Sequence, residues 1–167
     1  MIVCVDVDYR DGAAVAAGLW FDDWAASAAA FQAVATFPPA AAYEPGAFYR
    51  RELPCLLGVL ALGPPADTVV VDGYVWLGGG VAGLGAHLHA SLAVAVVGVA
   101  KTRYASATDA LAVCRGGSQS PLYVSAVGVA VEEAAALVAA MAGPYRVPTL
   151  LKAVDALART SPVAAPG

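Results

Sequence analysis

Basic residues are scarce in this sequence. Nine Lys and Arg stand against thirteen Asp and Glu in 167 residues, a formal net charge of −4. Tight non-specific binding to nucleic acid needs a basic face to neutralise phosphates, so the balance argues against it. A few cations near a site could still serve a short or single-stranded substrate. Cysteine is sparser still. Cys4, Cys55 and Cys114 lie far apart with no C-x-x-C among them, the pattern of buried, reduced thiols in the cytoplasm. The only histidines, His87 and His89, are spaced i, i+2. On a helix that spacing points them to different faces, which argues against a two-histidine zinc site. Neither a G-x-S-x-G nor a G-x-x-x-x-G-K-[ST] motif occurs. The opening residues, Met1 to Asp6, carry no basic n-region, so no signal peptide is expected.

What fills the sequence instead is alanine, valine and glycine. Hydrophobic residues reach 60%, well above an ordinary soluble chain. The window Val81 to Ala100 holds 20 residues without Asp, Glu, Lys or Arg, long enough to raise a membrane span. Its glycines, histidines and serine, and the lack of a basic flank before it, favour a buried helix followed by a buried strand. No membrane partner is expected. The length fits one domain over residues 1–160 with a disordered tail over 161–167. The surplus of apolar surface suggests a homodimer.

Along the chain, Ile2 to Tyr9 reads as an apolar strand, Arg10-Asp11-Gly12 as a turn, and Ala13 to Phe21 as its hairpin partner. A third strand is expected around Ala28 to Phe37, ended by Pro38-Pro39. Pro45-Gly46 opens a helix reaching to about Leu62, with a kink or break at Pro54. Thr68 to Asp72 is a short apolar strand, Gly73 to Gly80 a loop, Val81 to Leu92 a helix, and Ala93 to Ala100 another strand. Residues 105–120 read as loop, Leu122 to Ser125 as a last strand. Helices are expected over Glu132 to Ala142 and Thr149 to Arg159. Strands first, then alternating helices and strands, indicate an α/β fold with a mixed sheet flanked by helices.

Three carboxylates stand out. Asp6 lies mid-strand between Val5 and Val7, where a charge is costly unless paired or bound to metal. Asp72 ends a strand at the place where open α/β sheets put their sites. Glu52 comes from the helix between them. Singly, each could be an ordinary turn acid or ion pair. Together they would suit Mg²⁺, or Mn²⁺, which polarises a phosphoryl oxygen and activates water. Lys101, closing the strand VVGVAK, is either a surface cap or a cation beside a phosphate. Gly78 to Gly83 fits G-x-G-x-x-G, but the next strand ends in Lys101 rather than the acid that would hold a ribose.

These segments resemble the endonuclease V family, the deoxyinosine 3′ endonucleases, in blocks running from residue 2 to about residue 150. Val5-Asp6-Val7 is similar to the family's first strand. Tyr43-x-Pro45-Gly46 through Arg51-Glu52-Leu53-Pro54 resembles its Y-x-P-G…F-R-E-x-P block, with the same nine-residue step from Tyr43 to Glu52. Val71-Asp72-Gly73, followed by Gly83-Leu84 and His87-Leu88, resembles its D-G…G-L-A-S-H-L block. Val97-Gly98-Val99-Ala100-Lys101 is similar to I-G-V-A-K, and Leu122-Tyr123-Val124-Ser125 to V-Y-V-S.

The resemblance implies a ribonuclease H-like fold and a metal-dependent nuclease hydrolysing a phosphodiester 3′ to inosine in DNA or RNA. It implies Asp6, Glu52 and Asp72 as ligands of Mg²⁺ and Lys101 as the cation at the phosphate. Tyr43, Pro45 and Gly46 would form a wedge beside a flipped base, with Arg51, Gly73 and His87 as further substrate contacts. Several positions depart from the family. Gly78-Gly79-Gly80 stands in place of His-Pro-Arg, Leu150 in place of an arginine, and no segment precedes the first strand. Val129 falls where the fourth metal ligand is expected. Asp8, two residues along the strand from Asp6, is a candidate replacement. Two alternatives remain at this level: a catalytically degenerate member that binds nucleic acid, a nucleotide or a protein, and an unrelated enzyme acting on a phosphorylated metabolite.

Overall fold

A computed structural model describes residues 1–38 and 49–164. Its organising strand is β1 (Ile2–Arg10). Along its whole length it runs antiparallel to β2 (Ala13–Phe21), from Ile2↔Phe21 to Arg10↔Ala13. Asp11 and Gly12 make the turn with φ of 52° and 71°, the two positive values that a tight hairpin matching strand twist requires. On its other side β1 runs parallel to β4 (Thr68–Asp72), but only from Ile2 to Val5. Outside β2 lies β3 (Phe31–Phe37), and beyond β4 come β5 (Ala95–Ala100), β7 (Leu122–Val127) and the edge strand β6 (Leu111–Val113). The sheet order is β3-β2-β1-β4-β5-β7-β6. Parallel pairs at the centre and antiparallel pairs outside make the mixed α/β sheet that was expected.

Parallel neighbours need crossovers, and helices supply them. Both α1 (Tyr49–Leu60) and α2 (Leu84–Leu92) cover one face, burying Leu56, Val59 and Leu88 against Val3, Val5, Val69 and Val71. The other face is covered by α3 (Val131–Ala139) and α4 (Thr149–Thr160), whose Val138, Leu150 and Val154 meet Cys4, Val70, Val97 and Leu122. Residues of β1 therefore alternate between the two cores, and Ile2, Cys4 and Asp6 share the α4 side.

Four sequence expectations change. Strand β6 lies inside residues expected to be loop, because three residues at a sheet edge give too short a pattern to read. Helix α1 runs through Pro54 without interruption. The exposed proline forfeits one backbone bond near the start of the described helix, on the solvent side, where the loss is tolerated. Helix α2 starts at Leu84 rather than Val81, since a Trp76↔Ala82 bridge and the Gly83 N–H to Val75 carbonyl bond hold the preceding residues in a closed loop. Helix α3 ends at Ala139, short of Ala142, and residues 140–148 form an irregular link to α4. No helix among the described residues is long and apolar enough to cross a membrane. The window that raised the question is split between α2 and β5. Of the tail, residues 161–164 are described: the Ser161 carbonyl accepts from Arg10, and the Ala164 N–H donates to Thr36 Oγ1 at 3.2 Å.

Candidate metal and nuclease centre

The site arises where β1 outruns β4. Val5 is the last residue of β1 paired with β4, and Asp6 is the next one along. Asp72 is the last residue of β4. Two carboxylates thus stand side by side at the carboxyl end of the parallel strands, where the sheet stops supplying partners. Immediately afterwards Gly73 takes φ +128° and returns its N–H to the Val99 carbonyl at 3.1 Å, turning the chain across β5. The crossing is possible because position 98 is glycine: a Cβ there would lie 2.5 Å from the Gly73 oxygen and 2.8 Å from Ser125 Oγ. Ser125, the buried polar side chain beneath the loop, accepts the Val75 N–H at 2.9 Å. One serine and one glycine therefore fix the loop that follows Asp72.

Charge concentrates at this corner. Burial pushes the Asp6 carboxyl up to about 7, opposed by the Val7 N–H donated to its Oδ1 and reinforced by Asp72 and Asp155. Burial likewise pushes Glu52 up to about 8, with the charges of Asp6 and Asp72 adding and Arg51 opposing. Glu52 reaches this corner from α1, on the opposite face from α4. Lys101, directly after β5, donates to Asp72 Oδ2 at 3.0 Å, and both side chains are about two-fifths exposed. An ion pair so open to water contributes little to stability. The arrangement brings together all four residues expected to act: Asp6, Glu52, Asp72 and Lys101.

A further acid belongs to the group. Asp155, on α4, faces Asp6 closely enough that its carboxyl helps to hold that of Asp6 above the usual carboxylate range. Its own Oδ1 accepts from Arg159 Nε at 3.0 Å, one turn along the helix. The sequence pattern holds a signal for it. Leu151, Asp155 and Ala158 share one helix face, which places a carboxylate in the stripe that packs on the sheet. Two sequence positions bear on the same role: Val129, which stands where the family's fourth ligand is expected, and Asp8, the one candidate replacement. Val129 packs against the α3/α4 core. Asp8 is engaged by Arg10, whose guanidinium also takes the Ala158 and Ser161 carbonyls and so ties down the end of α4.

Of the expected substrate contacts, Tyr43, Pro45 and Gly46 lie outside the described residues. Arg51 lays its guanidinium 3.7 Å over the Tyr9 ring, next to Glu52 on α1. The His87 ring stacks on Tyr49 at 3.6 Å and 15°, pinning α2 to the first turn of α1. All three cysteines are free, Cys4 and Cys55 buried and Cys114 exposed.

Asp6, Asp72, Lys101, Val147, Leu151 and Val154 border a recess of about 20 Å³, room for a single water-sized group. Beside it a larger cleft of about 270 Å³ runs past Lys101, Arg146, Lys152 and Asp155 to solvent. Among the described residues, no three His, Cys, Asp or Glu side chains already close as a metal cage. The donor chemistry nevertheless fits a hard divalent cation. Every donor is a carboxylate oxygen, the groups repel one another, and burial raises the Asp6 and Glu52 carboxyls, a cost that a bound cation would relieve.

The sequence profile of the endonuclease V family matches residues 1–134, and the chain belongs to that family. Among solved structures it is similar to endonuclease V of Streptomyces avermitilis, at 28% identity and a TM-score of 0.82, covering 95% of this chain and 79% of that one. The Ciona intestinalis endonuclease V, solved with a 23mer DNA containing an inosine followed by a ribo-adenosine, superposes at a TM-score of 0.78. Its identity is 17%, with coverage of 95% of this chain and 83% of that one. The catalytic domain of human endonuclease V gives 23% identity and a TM-score of 0.75, over 95% and 80% of the two chains. The two latter likenesses speak for the fold. Among curated proteins none matches the chain.

Proposed function

We propose that this member of the endonuclease V family is a divalent-metal-dependent nuclease that hydrolyses a phosphodiester 3′ to a deaminated base, inosine, in DNA or RNA. The observation that carries this is the meeting of Asp6, Glu52, Asp72 and Asp155 at one end of β1 and β4, with Lys101 on Asp72. Asp6, Glu52, Asp72 and Asp155 would hold Mg²⁺ or Mn²⁺. When bound, that cation supplies a Lewis acid for the phosphoryl oxygen and a water activated for attack.

The chain's own residues do the rest. Lys101 sits at the solvent side of Asp72, placed to balance charge on the phosphate or on the departing oxygen. Tyr43 with Pro45 and Gly46 supplies the wedge, since a base must leave the stack before it can be inspected. Few cations and an acidic total charge favour a short or single-stranded target over a long duplex. End-labelled single-stranded DNA and RNA with one inosine, offered Mg²⁺ and Mn²⁺, test the reading, with Asp72→Ala and a chelator as blanks. A single cut one nucleotide past the inosine, absent from both blanks, is expected. No cut by folded protein would move the assignment to a second reading, a binding module without catalysis. Two features favour that reading: carboxylates that do not close as a cage among the described residues, and Asp72 already paired with Lys101.

A further inference from the structure

Most of the nine Lys and Arg are committed to the fold or to the acidic corner. Arg10 ties the end of α4; Arg115 clasps the carbonyls of Met141, Gly143 and Tyr145; Arg146 takes those of Lys101, Ser120 and Pro121. Lys101 and Arg159 hold carboxylates, Arg51 lies on Tyr9, Arg50 faces the Tyr49 ring and Lys152 that of Tyr145. Arg103 is different. It is exposed and, among the described residues, makes no hydrogen bond or ion pair; its charge is felt by the Tyr74 hydroxyl. In a chain this poor in cations, an uncommitted arginine beside the candidate site calls for an occupant.

Around Arg103 the surface folds into an open cleft of about 420 Å³, walled by Tyr74, Tyr104, Thr108 and Tyr123. Tyr74 is the fixed wall. Its hydroxyl donates to the Thr102 carbonyl at 2.7 Å and accepts the Tyr104 N–H at 3.0 Å, so its ring is a peg for the 101–110 loop. The Tyr104 ring lies 6.0 Å away, tilted by 50°, and is 48% exposed. Its side chain offers a free aromatic face, while only its backbone is used by Tyr74. Position is set by covalent connection. Tyr74 follows Asp72 by two residues and Arg103 follows Lys101 by two, so each lies within about 7 Å of its partner along the chain.

We infer that this cleft is a nucleotide subsite: a base flanking the scissile bond stacks on Tyr104, and the adjoining phosphate meets Arg103. A face that accepts any base, joined to one cation for the backbone, is how single strands are held without sequence choice. The lone positive charge suits a polyanion better than a peptide or an apolar ligand. The subsite rests on the nuclease reading for its substrate class, and it adds a place where the strand is gripped beyond the base itself.

The test is a fluorescence-anisotropy titration of labelled single-stranded oligonucleotides carrying one inosine. The full chain is used in an Asp6→Asn background, which stops cutting and leaves the Lys101–Asp72 pair intact. Arg103→Ala and Tyr104→Ala are each expected to weaken binding about tenfold, whereas Tyr104→Phe binds like the parent. As the oligonucleotide is trimmed one nucleotide at a time from either end, the parent loses affinity at one step that Tyr104→Ala lacks. Both exposed substitutions leave thermal melting unchanged. Equal binding of every length by the parent and the two alanine variants would overturn the subsite, and if wild type still cuts, the nuclease reading survives it. Tyr104-dependent binding by a protein that never cuts would keep the subsite and sink the nuclease reading. A parent that binds no oligonucleotide ends both.

Discussion

The two halves of β1 obey different rules although one strand carries both. From Ile2 to Val5 the strand is paired on either side and its residues are buried, alternating between two helix-covered faces. From Asp6 onward the pairing with β4 has ended, only β2 still pairs with the strand, and the next residues are half-buried. The change takes a single residue. What it teaches is that the site needs no special fold element. A strand that outlasts its parallel neighbour leaves one carboxylate beside that neighbour's last residue, half out of water and facing other acids. The first half is stability and the second is chemistry, and substitutions should separate them.

The largest effect is expected from Asp6→Asn, which should lower any metal-dependent cutting by about 10²-fold or more while leaving the protein folded. Val3→Ala, three residues away in the buried half, should do the reverse. It should cost about 1–3 kcal/mol in denaturant unfolding, with the cutting rate at low temperature unchanged. If both substitutions cost mainly stability, the division of β1 is mistaken.

A second effect sharpens the comparison through pH. Asp6 and Glu52 have folded-state values raised to about 7 and about 8. In chelator-treated protein they keep protons that the unfolded chain has released, so folding is favoured most below about pH 4 and loses this contribution as pH rises through their folded values. Stability should therefore fall between about pH 5 and about pH 8, and Glu52→Gln should flatten that slope. A metal-free protein whose stability rises across that range would mean that these carboxyls are paired rather than crowded. A smaller difference is expected between two acids near the strand's second half, Asp155 on α4 and Asp8 on β1 itself. Asp155→Ala should weaken Mn²⁺ binding about tenfold, in keeping with loss of one ligand among several. Asp8→Ala should leave metal affinity alone and loosen the end of α4 that Arg10 ties down. Reversed outcomes would return Asp8 to the candidate ligand set.

Much of this was legible in the sequence because it is local. The period-2 pattern of Ile2 to Phe21 and the Asp11-Gly12 turn mark the hairpin, and TVVVD marks a buried strand ending in an acid. Asp6 stands mid-strand among apolar residues, Asp72 and Lys101 each close an apolar strand, and Glu52, next to Arg51, is marked by the helix that carries it rather than by its neighbours. Two things were not legible. Strand β6 is held by its pairing with β7, and its three residues carry no periodicity of their own. Asp155 sits on an amphipathic helix with Arg159 one turn on, which reads as a surface ion pair until α4 is seen to lie across β1. Its role depends on tertiary packing between residues far apart in the chain, and the apolar stripe through Leu151 and Ala158 is the only local trace.

The most direct test of the acidic centre is calorimetric titration of Mn²⁺ into wild-type chain and into Asp6→Asn at a pH above about 8, where the raised carboxyls have shed their protons. Saturable binding by wild type that disappears in the variant is the expected result. Equal heats from the two proteins, or none from a folded wild type, would contradict the assignment of Asp6, Glu52, Asp72 and Asp155 as one metal site.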